Sequence, residues 1–500
     1  MYLFCVQQHK YNQTPASCQT HCHTQPMLLQ DLGSRKVIAD FTGGSLSSDG
    51  GLLLLRQIDA GLGISRLLAG CFTDARDPLR VEHSVEELVR QRLLALAMGY
   101  EDINDHTDLR RDPLLAAAVG KEDVLGTQRR SSKDAGSACA SASTLNRLEL
   151  GSNFSDRYRK VHADPGAIED AVLKLGVRCL PKDSELLVLD FDATDDPLHG
   201  RQEGRFFHGY YDNYCYLPLY CFCGSVPLWA QLRSSDKDAS AGTVEALEKI
   251  VAAIRERFPR VKILVRADSG FSREAIMAWC EGRKDVFYLL GMARNARLER
   301  LAGPATLRAG AAHCLTGVAS RSFMEVAYRT ATSWSRERRM LCKAEMLPGG
   351  KSNPRFVTTN IAPEGIVSEE GEVLLKGGVR DLYEKTYCGR GNAENMIKQM
   401  VLDLKADRTS CSWMAANQMR LWFSTLAYLM LERVRSIGLA GSKLAHVTLG
   451  GVRLHLLKVA AVVKLSVRRV HVALCSAFPF QDIFRQAVQR LEACAPPQPS

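Results

Sequence analysis

The sequence predicts an α/β protein in which a mixed β-sheet follows a helical domain and carries an inserted β subdomain. Three observations predict this class. Between residues 185 and 292, apolar strand-like runs are interrupted by a helical repeat, and two of the runs end in aspartate. A helical apolar pattern comes before them, and an alternating pattern comes after them. A chain of 500 residues also exceeds what one core usually supports, so we expect several domains or subdomains.

Charge and composition limit the class of partner. The chain has 65 Lys and Arg against 55 Asp and Glu, for a net charge of +10, and such a surplus suits a polyanion such as nucleic acid. No apolar stretch is long and uncharged enough to predict a membrane span. The cysteines are scattered without paired zinc spacing or a secretion signal, which predicts a cytoplasmic protein.

The N-terminal part divides into two segments. Residues 1–36 begin with a polar stretch that has no periodicity, which predicts a disordered leader. Residues 37–180 show apolar positions at helical spacing, for example the leucines that follow Gly50-Gly51, which predicts a helical domain. Arg129 and Arg130 in a Gly/Ser-rich loop make DNA binding one role for this domain, and plain helical packing is the alternative.

The segment 181–295 is predicted to be the first part of the core. Its apolar runs predict three strands, then a helix, then two strands, which is the order of a ribonuclease H-like core. Alternation in residues 296–376 predicts an inserted β subdomain, and residues 377–436 return to a helical pattern that completes the core. Residues 437–500 form a basic C-terminal region.

Two of the predicted strands end in carboxylates, Asp192 and Asp268. The ends of strands in open α/β sheets are where ligands gather, although an aspartate there can also do no more than begin a turn. Asp190 is an alternative to Asp192, because alternate residues of a strand lie on the same face.

A polar stripe supplies the third element. Its members recur on one face of a predicted helix: Tyr387, Arg390, Glu394, Lys398 and Lys405. A solvated face with pairs four residues apart would explain the stripe. The same side chains also suit a site that grips phosphate around a metal ion, with arginine and lysine for phosphate and glutamate as an oxygen ligand.

Three sequence blocks resemble a known family. The blocks Leu189–Thr194, Arg266–Phe271 and Tyr387–Lys398 resemble the catalytic blocks of insertion-sequence DDE transposases, most closely the bacterial thirteen-eighty insertion-sequence family. The resemblance extends from about residue 37 to 490. It implies a ribonuclease H-like fold with a β insertion between the second aspartate and the glutamate.

The resemblance also implies roles for individual residues. Asp192, Asp268 and Glu394 would hold two Mg²⁺ or Mn²⁺ ions. DNA contacts would come from Tyr387, Arg390, Lys398 and Lys405. Trp334 in the insertion would stack on a flipped base, or it would be a core residue of a small sheet. Val401 stands where related transposases have lysine, which puts full activity in doubt.

The implied function is metal-dependent cleavage and strand transfer at the inverted terminal repeats of a bacterial insertion sequence, with or without a DNA hairpin. Terminal repeats and target DNA would be its partners, and a homodimer would hold two element ends together in the nucleoid. Two alternatives remain: a ribonuclease H-like endonuclease without strand transfer, and an inactive DNA-binding relic.

Overall fold

The computed structural model describes residues 26–150 and 159–494. The described chain opens with a β hairpin of β1 (Met27–Leu32) and β2 (Arg35–Ala39), which turns at Gly33 in the left-handed region (φ 62°). The expected disordered leader was therefore wrong for residues 27–36, where a glycine turn lets two short strands pair. The rest of that leader, residues 1–25, lies outside the described residues.

Residues 46–150 and 159–179 are mainly helical. Ser84 caps the helix α3 (Val85–Met98): its hydroxyl accepts a hydrogen bond from the Glu87 amide, and the Glu87 carboxylate accepts one from the Ser84 amide. The elements are β3 (Leu46–Ser47), α1 (Leu52–Leu62), α2 (Ile64–Ala69), β4 (Phe72–Asp74), α3 (Val85–Met98), α4 (His106–Leu109), α5 (Pro113–Val119), α6 (Ala142–Glu149), β5 (Val161–Ala163) and α7 (Pro165–Cys179).

A mixed sheet carries the two aspartates. The elements of this part are β6 (Leu186–Ala193), β7 (Asp196–Pro197), β8 (Phe206–His208), β9 (Asn213–Tyr216), β10 (Leu219–Cys223), β11 (Val226–Gln231), α8 (Thr243–Arg257), β12 (Lys262–Ala267), α9 (Glu274–Glu281) and β13 (Val286–Met292). Strands β6, β12 and β13 are parallel neighbours. Because Phe191 of β6 is opposite Ala267 of β12, the residues that follow them, Asp192 near the end of β6 and Asp268 just after β12, lie side by side at the same end of the sheet.

The segment after β13 extends this sheet. It contains α10 (Ala296–Leu301), α11 (Gly303–Thr316), β14 (Ser320–Tyr328), β15 (Arg338–Met346), β16 (Arg355–Thr359), β17 (Ile366–Val367) and β18 (Val373–Leu375). Strand β16 pairs antiparallel with β13, so the sheet has eight strands in the order β11-β10-β6-β12-β13-β16-β15-β14. Where the sequence predicts an inserted β subdomain over 296–376, the structure has two helices, three strands that continue the main sheet, and a separate hairpin of β17 and β18. Alternation marks a strand but does not say which edge it will pair with.

The C-terminal part closes the core. A π-helical turn (Asp381–Thr386) and a 3₁₀ turn (Tyr387–Arg390) lead into α12 (Gly391–Leu404), followed by α13 (Met414–Arg433), α14 (Leu449–Val452), β19 (Ala461–Ser466), β20 (Arg469–Leu474) and α15 (Gln481–Cys494). Helix α13 is almost wholly buried against α3, α7 and β11, so the N-terminal helices and the sheet share one hydrophobic core. Within the described ranges, no helix is long and apolar enough to span a bilayer.

Candidate catalytic site

Asp192 and Asp268 mark the edge where the two parallel strands end. Asp192 accepts a hydrogen bond from the Ala193 amide (3.0 Å), and Asp268 accepts one from the Gly270 amide (2.8 Å). The second bond opens the short 3₁₀ turn Ser269–Phe271, which carries the chain out of the sheet. Asp192 is thus the second-last residue of β6, Asp268 directly follows β12, and the strand register places the two residues side by side.

The start of α12 brings a third carboxylate to this edge. The guanidinium of Arg390 bridges two acids: one terminal nitrogen lies 3.1 Å from Asp192 Oδ2, and the other lies 2.6 Å from Glu394 Oε1. Arg390 and Glu394 are four residues apart, so a helical turn places both side chains on one face. The arginine thus links helix α12 to the end of strand β6.

Electrostatics at this edge are unbalanced. Burial raises the pKa of Asp192 to about 6; Arg390 opposes the shift, whereas Asp268 and Glu394 add to it. The three carboxylates face one guanidinium, that of Arg390, and the excess negative charge favours a cation. Within residues 26–150 and 159–494, no three His, Cys, Asp or Glu side chains are grouped closely enough to hold a metal ion.

Tyr387 approaches the second aspartate from the turn before α12. Its hydroxyl lies against Gly291 of β13, at a point where a side chain on Gly291 would also meet the Ser269 amide. Burial raises the pKa of Tyr387, with a further contribution from Asp268 that Arg390 opposes. Gly291 therefore provides the space in which the tyrosine reaches the site.

Asp190 lies in a different environment from Asp192. Both of its oxygens accept from Arg266, at 2.5 and 2.7 Å, and Arg266 also donates to the Thr386 carbonyl. The pair is buried, and a side chain on Gly389 would collide with the Arg266 guanidinium. Asp190 is thus engaged in a closed ion pair beneath the site, which favours Asp192 as the carboxylate available to a ligand.

The other sequence candidates divide into near and distant groups. Lys398 is exposed one helical turn beyond Glu394. Lys405 lies past the end of α12 in a left-handed conformation (φ 52°) and borders a separate polar cavity with Glu101 and Arg408. Val401 is half-buried and packs against the main core.

Trp334 is buried. It is 3% exposed, packs edge-to-face on Tyr328 with ring centres 5.5 Å apart, and has the Arg338 guanidinium 5.3 Å from its ring centre. This position corresponds to the alternative in which Trp334 is a core residue.

Tyr211 is a residue near the site to which sequence reasoning assigned no role. Burial, followed by the nearby carboxylates Asp195, Asp192 and Asp268, raises the pKa of Tyr211 to about 12. The only signal in the sequence is a pair of adjacent tyrosines, Tyr210 and Tyr211, because the hairpin that brings Tyr211 near the acids depends on tertiary pairing.

Comparison with known proteins identifies the family of this chain. Residues 29–496 match the family described as Transposase DDE domain group 1, and the chain belongs to that family. It is also similar to a solved piggyBac transposase in a synaptic complex with hairpin DNA, with a TM-score of 0.40 and 11% identity over 81% of this chain and 79% of that chain. A comparison with curated proteins returns no match.

Proposed function

We propose that this transposase cuts and joins DNA at the inverted terminal repeats of a bacterial insertion sequence of the thirteen-eighty family, with a ribonuclease H-like core. The observation that carries the proposal is the convergence of Asp192 and Asp268 at one sheet edge with Glu394, which the Arg390 bridge holds beside Asp192. Carboxylates gathered with too little positive charge suit divalent metal ions better than they suit a structural role.

The donor set fits Mg²⁺ or Mn²⁺, because both prefer oxygen ligands. Asp192, Asp268 and Glu394 would hold the ions. When bound, two divalent ions would activate the attacking water or 3′-hydroxyl and stabilise the leaving oxygen. Arg390 would have to release Asp192 or Glu394 before the two acids share a cation, and its freed nitrogens could then contact a DNA phosphate in a bidentate manner.

Other contacts would position the DNA. Tyr387 and Lys398 flank Arg390 and Glu394, so they are suited to the strand near the reacting phosphate. The ribbon of β19 and β20 is exposed from residue 464 to 471 and carries Lys464, Arg468 and Arg469 without an acidic residue. Such a ribbon suits duplex DNA. Replacing Arg468 and Arg469 by alanine should lower the slope of log binding constant against log salt concentration by about two units.

A homodimer acting at the nucleoid would hold the two ends of the element together.

A cleavage and joining assay tests the proposal. The purified chain is incubated with Mg²⁺ or Mn²⁺ and DNA carrying the sequences that flank its own gene, and nicks, hairpins and joints are mapped. We expect cleavage and joining, each reduced about a thousandfold by Asp192→Asn, Asp268→Asn or Glu394→Gln while DNA binding persists.

Asp190→Asn, on the same strand, is the matched control. It should retain cleavage when the rate is divided by the concentration of folded protein. Cleavage without joining of pre-cut ends would instead indicate a nuclease. Binding without any cleavage would indicate an inactive relic. Full activity in any of the three carboxylate variants would remove that residue from the site.

A further inference from the structure

An aromatic hairpin stands beside the carboxylates. Strands β8 and β9 and the loop between them, residues 206–214, carry Phe206, Phe207, Tyr210 and Tyr214 as exposed rings. Tyr210 is 85% exposed, and the other three are 44% to 54% exposed. Aromatic rings usually provide core area, so this density of exposed rings within nine residues indicates a binding surface.

The hairpin is connected to β6, the strand that carries Asp192. Its second strand pairs with β7, which follows β6 after a short turn. Asn213 donates a hydrogen bond to the Asp195 carboxylate (3.3 Å), and the Ser235 hydroxyl donates to the Phe206 carbonyl (3.0 Å). One strand of the hairpin is thereby tied to Asp195, three residues after Asp192, and the other strand is tied to Ser235. Burial raises the pKa of Tyr211 in this loop, and Asp195, Asp192 and Asp268 add to the shift, which is consistent with a loop near the site.

The rings support one another and leave their faces open. Tyr210 and Tyr211 meet edge-to-face at 5.0 Å, and Phe207 and Tyr214 do so at 5.5 Å. The Arg205 guanidinium lies 3.9 Å from the centre of the Tyr214 ring. Edge-to-face packing holds each ring without covering both of its faces, and an adjacent guanidinium adds attraction for a phosphate backbone.

We propose that this aromatic hairpin binds unpaired nucleotides of a DNA strand by stacking their bases beside Asp192 and Asp268. The inference rests on the proposed function, because it takes DNA as the substrate. Base pairs within a duplex already stack on each other, whereas unpaired bases offer faces that fit aromatic rings next to a cation. Trp334 is buried and has no exposed ring face on which a base could stack, whereas the rings of the hairpin are exposed.

The test compares three probes that share one duplex: a blunt duplex, the duplex with a short unpaired extension, and the duplex with an abasic extension of equal length. Fluorescence anisotropy without divalent metal measures binding to the full chain. We expect the base-bearing extension to bind about tenfold more tightly than the abasic one. Tyr210→Ala combined with Phe207→Ala should remove this preference and leave blunt-duplex binding unchanged, and Tyr210→Trp should retain it.

Phe41→Ala is the matched control, because Phe41 is another exposed aromatic residue (81%), and it should leave the preference intact. Equal binding of the base-bearing and abasic extensions by the parent protein would overturn the inference while leaving the proposed function in place. Failure to bind any of the three probes would overturn the proposed function itself. A change in oligomeric state in the double variant, with the preference retained, would instead assign the hairpin to contacts between copies of the chain.

Discussion

The carboxylate site and the cluster around Arg338 both gather arginine and acid at the central sheet, but their charges are balanced differently. Arg338 donates four hydrogen bonds to Glu274 and Glu281, and Arg336 donates two more to Glu281. At the site, three acids face the single guanidinium of Arg390. One cluster is closed and neutral, whereas the other has negative charge left over.

The difference appears in the acids themselves. Hydrogen bonds from Arg338 lower the pKa of Glu274 to about 2, whereas burial raises the pKa of Asp192 to about 6. An ionised side chain stabilises the fold when groups of opposite charge balance it. An ionised side chain without such groups destabilises the fold unless a ligand is bound. The Arg338 cluster is therefore structural, and it includes the ring of Trp334 beneath the guanidinium.

The largest expected difference between the clusters follows removal of their arginines. Arg338→Met should lower the free energy of unfolding by about 3–5 kcal/mol, because Glu281, only 8% exposed, loses its main partner. Arg390→Met should cost less than about 1 kcal/mol, because Asp192 can accept a proton instead. Denaturant unfolding of the two variants measures this, and equal losses would break the distinction.

A second comparison uses two aspartates of one strand. Asp190→Asn should destabilise the protein by about 2–3 kcal/mol, because it weakens a buried bidentate pair with Arg266. Asp192→Asn should leave the metal-free protein as stable as the parent, or more stable, because it removes repulsion among the acids. Thermal melts in a chelating buffer decide between them. A lower melting temperature for Asp192→Asn than for Asp190→Asn would reverse their assigned roles.

The pH dependence of the Arg338 cluster gives a third test. The pKa of Glu274, about 2 in the folded protein, lies below its ordinary value of 4.5, so its stabilising effect is complete above pH 4.5 and is lost as pH falls toward 2. At pH 7, Glu274→Gln should therefore melt at a lower temperature than the parent, and its free energy of unfolding should be lower by about 1–2 kcal/mol. This difference between the two proteins should narrow as the pH is lowered below 4.5. A gap that is constant with pH would mean that the ionised carboxylate has no special stabilisation.

The smallest expected effect concerns Val401, seven residues after Glu394 in α12. Related transposases have lysine at this position. Because Val401 packs against the main core, we expect Val401→Lys to lower the free energy of unfolding by about 1–2 kcal/mol, since it would bury part of a lysine. Val401→Ala is the matched control for lost packing, and melting curves with binding isotherms at several salt concentrations separate the two effects. Tighter binding at an unchanged melting temperature would show that the lysine reaches DNA.

The sequence by itself determined the local elements that carry the chemistry. The runs that end at Asp192 and Asp268 became β6 and β12, and the polar stripe became the turn before α12 and its first turns. These features are readable because hydrophobic periodicity and strand-end acids depend on neighbours along the chain. The same local blocks carry the family resemblance, which the match over residues 29–496 confirms at the level of a DDE transposase.

Tertiary structure decided which of these groups are available. Asp190 and Asp192 are equivalent in the strand pattern, and only the position of Arg266 separates them. From the sequence, Trp334 could be a stacking residue or a core residue. In the structure it packs against Arg338 and Tyr328, whereas the rings of the aromatic hairpin are exposed. The residue spacing places Lys405 on the helical stripe. In the structure Lys405 lies outside the helix, because α12 ends there with Lys405 in a left-handed backbone conformation. Burial and ion pairing depend on contacts between residues far apart in sequence, and no local pattern records them.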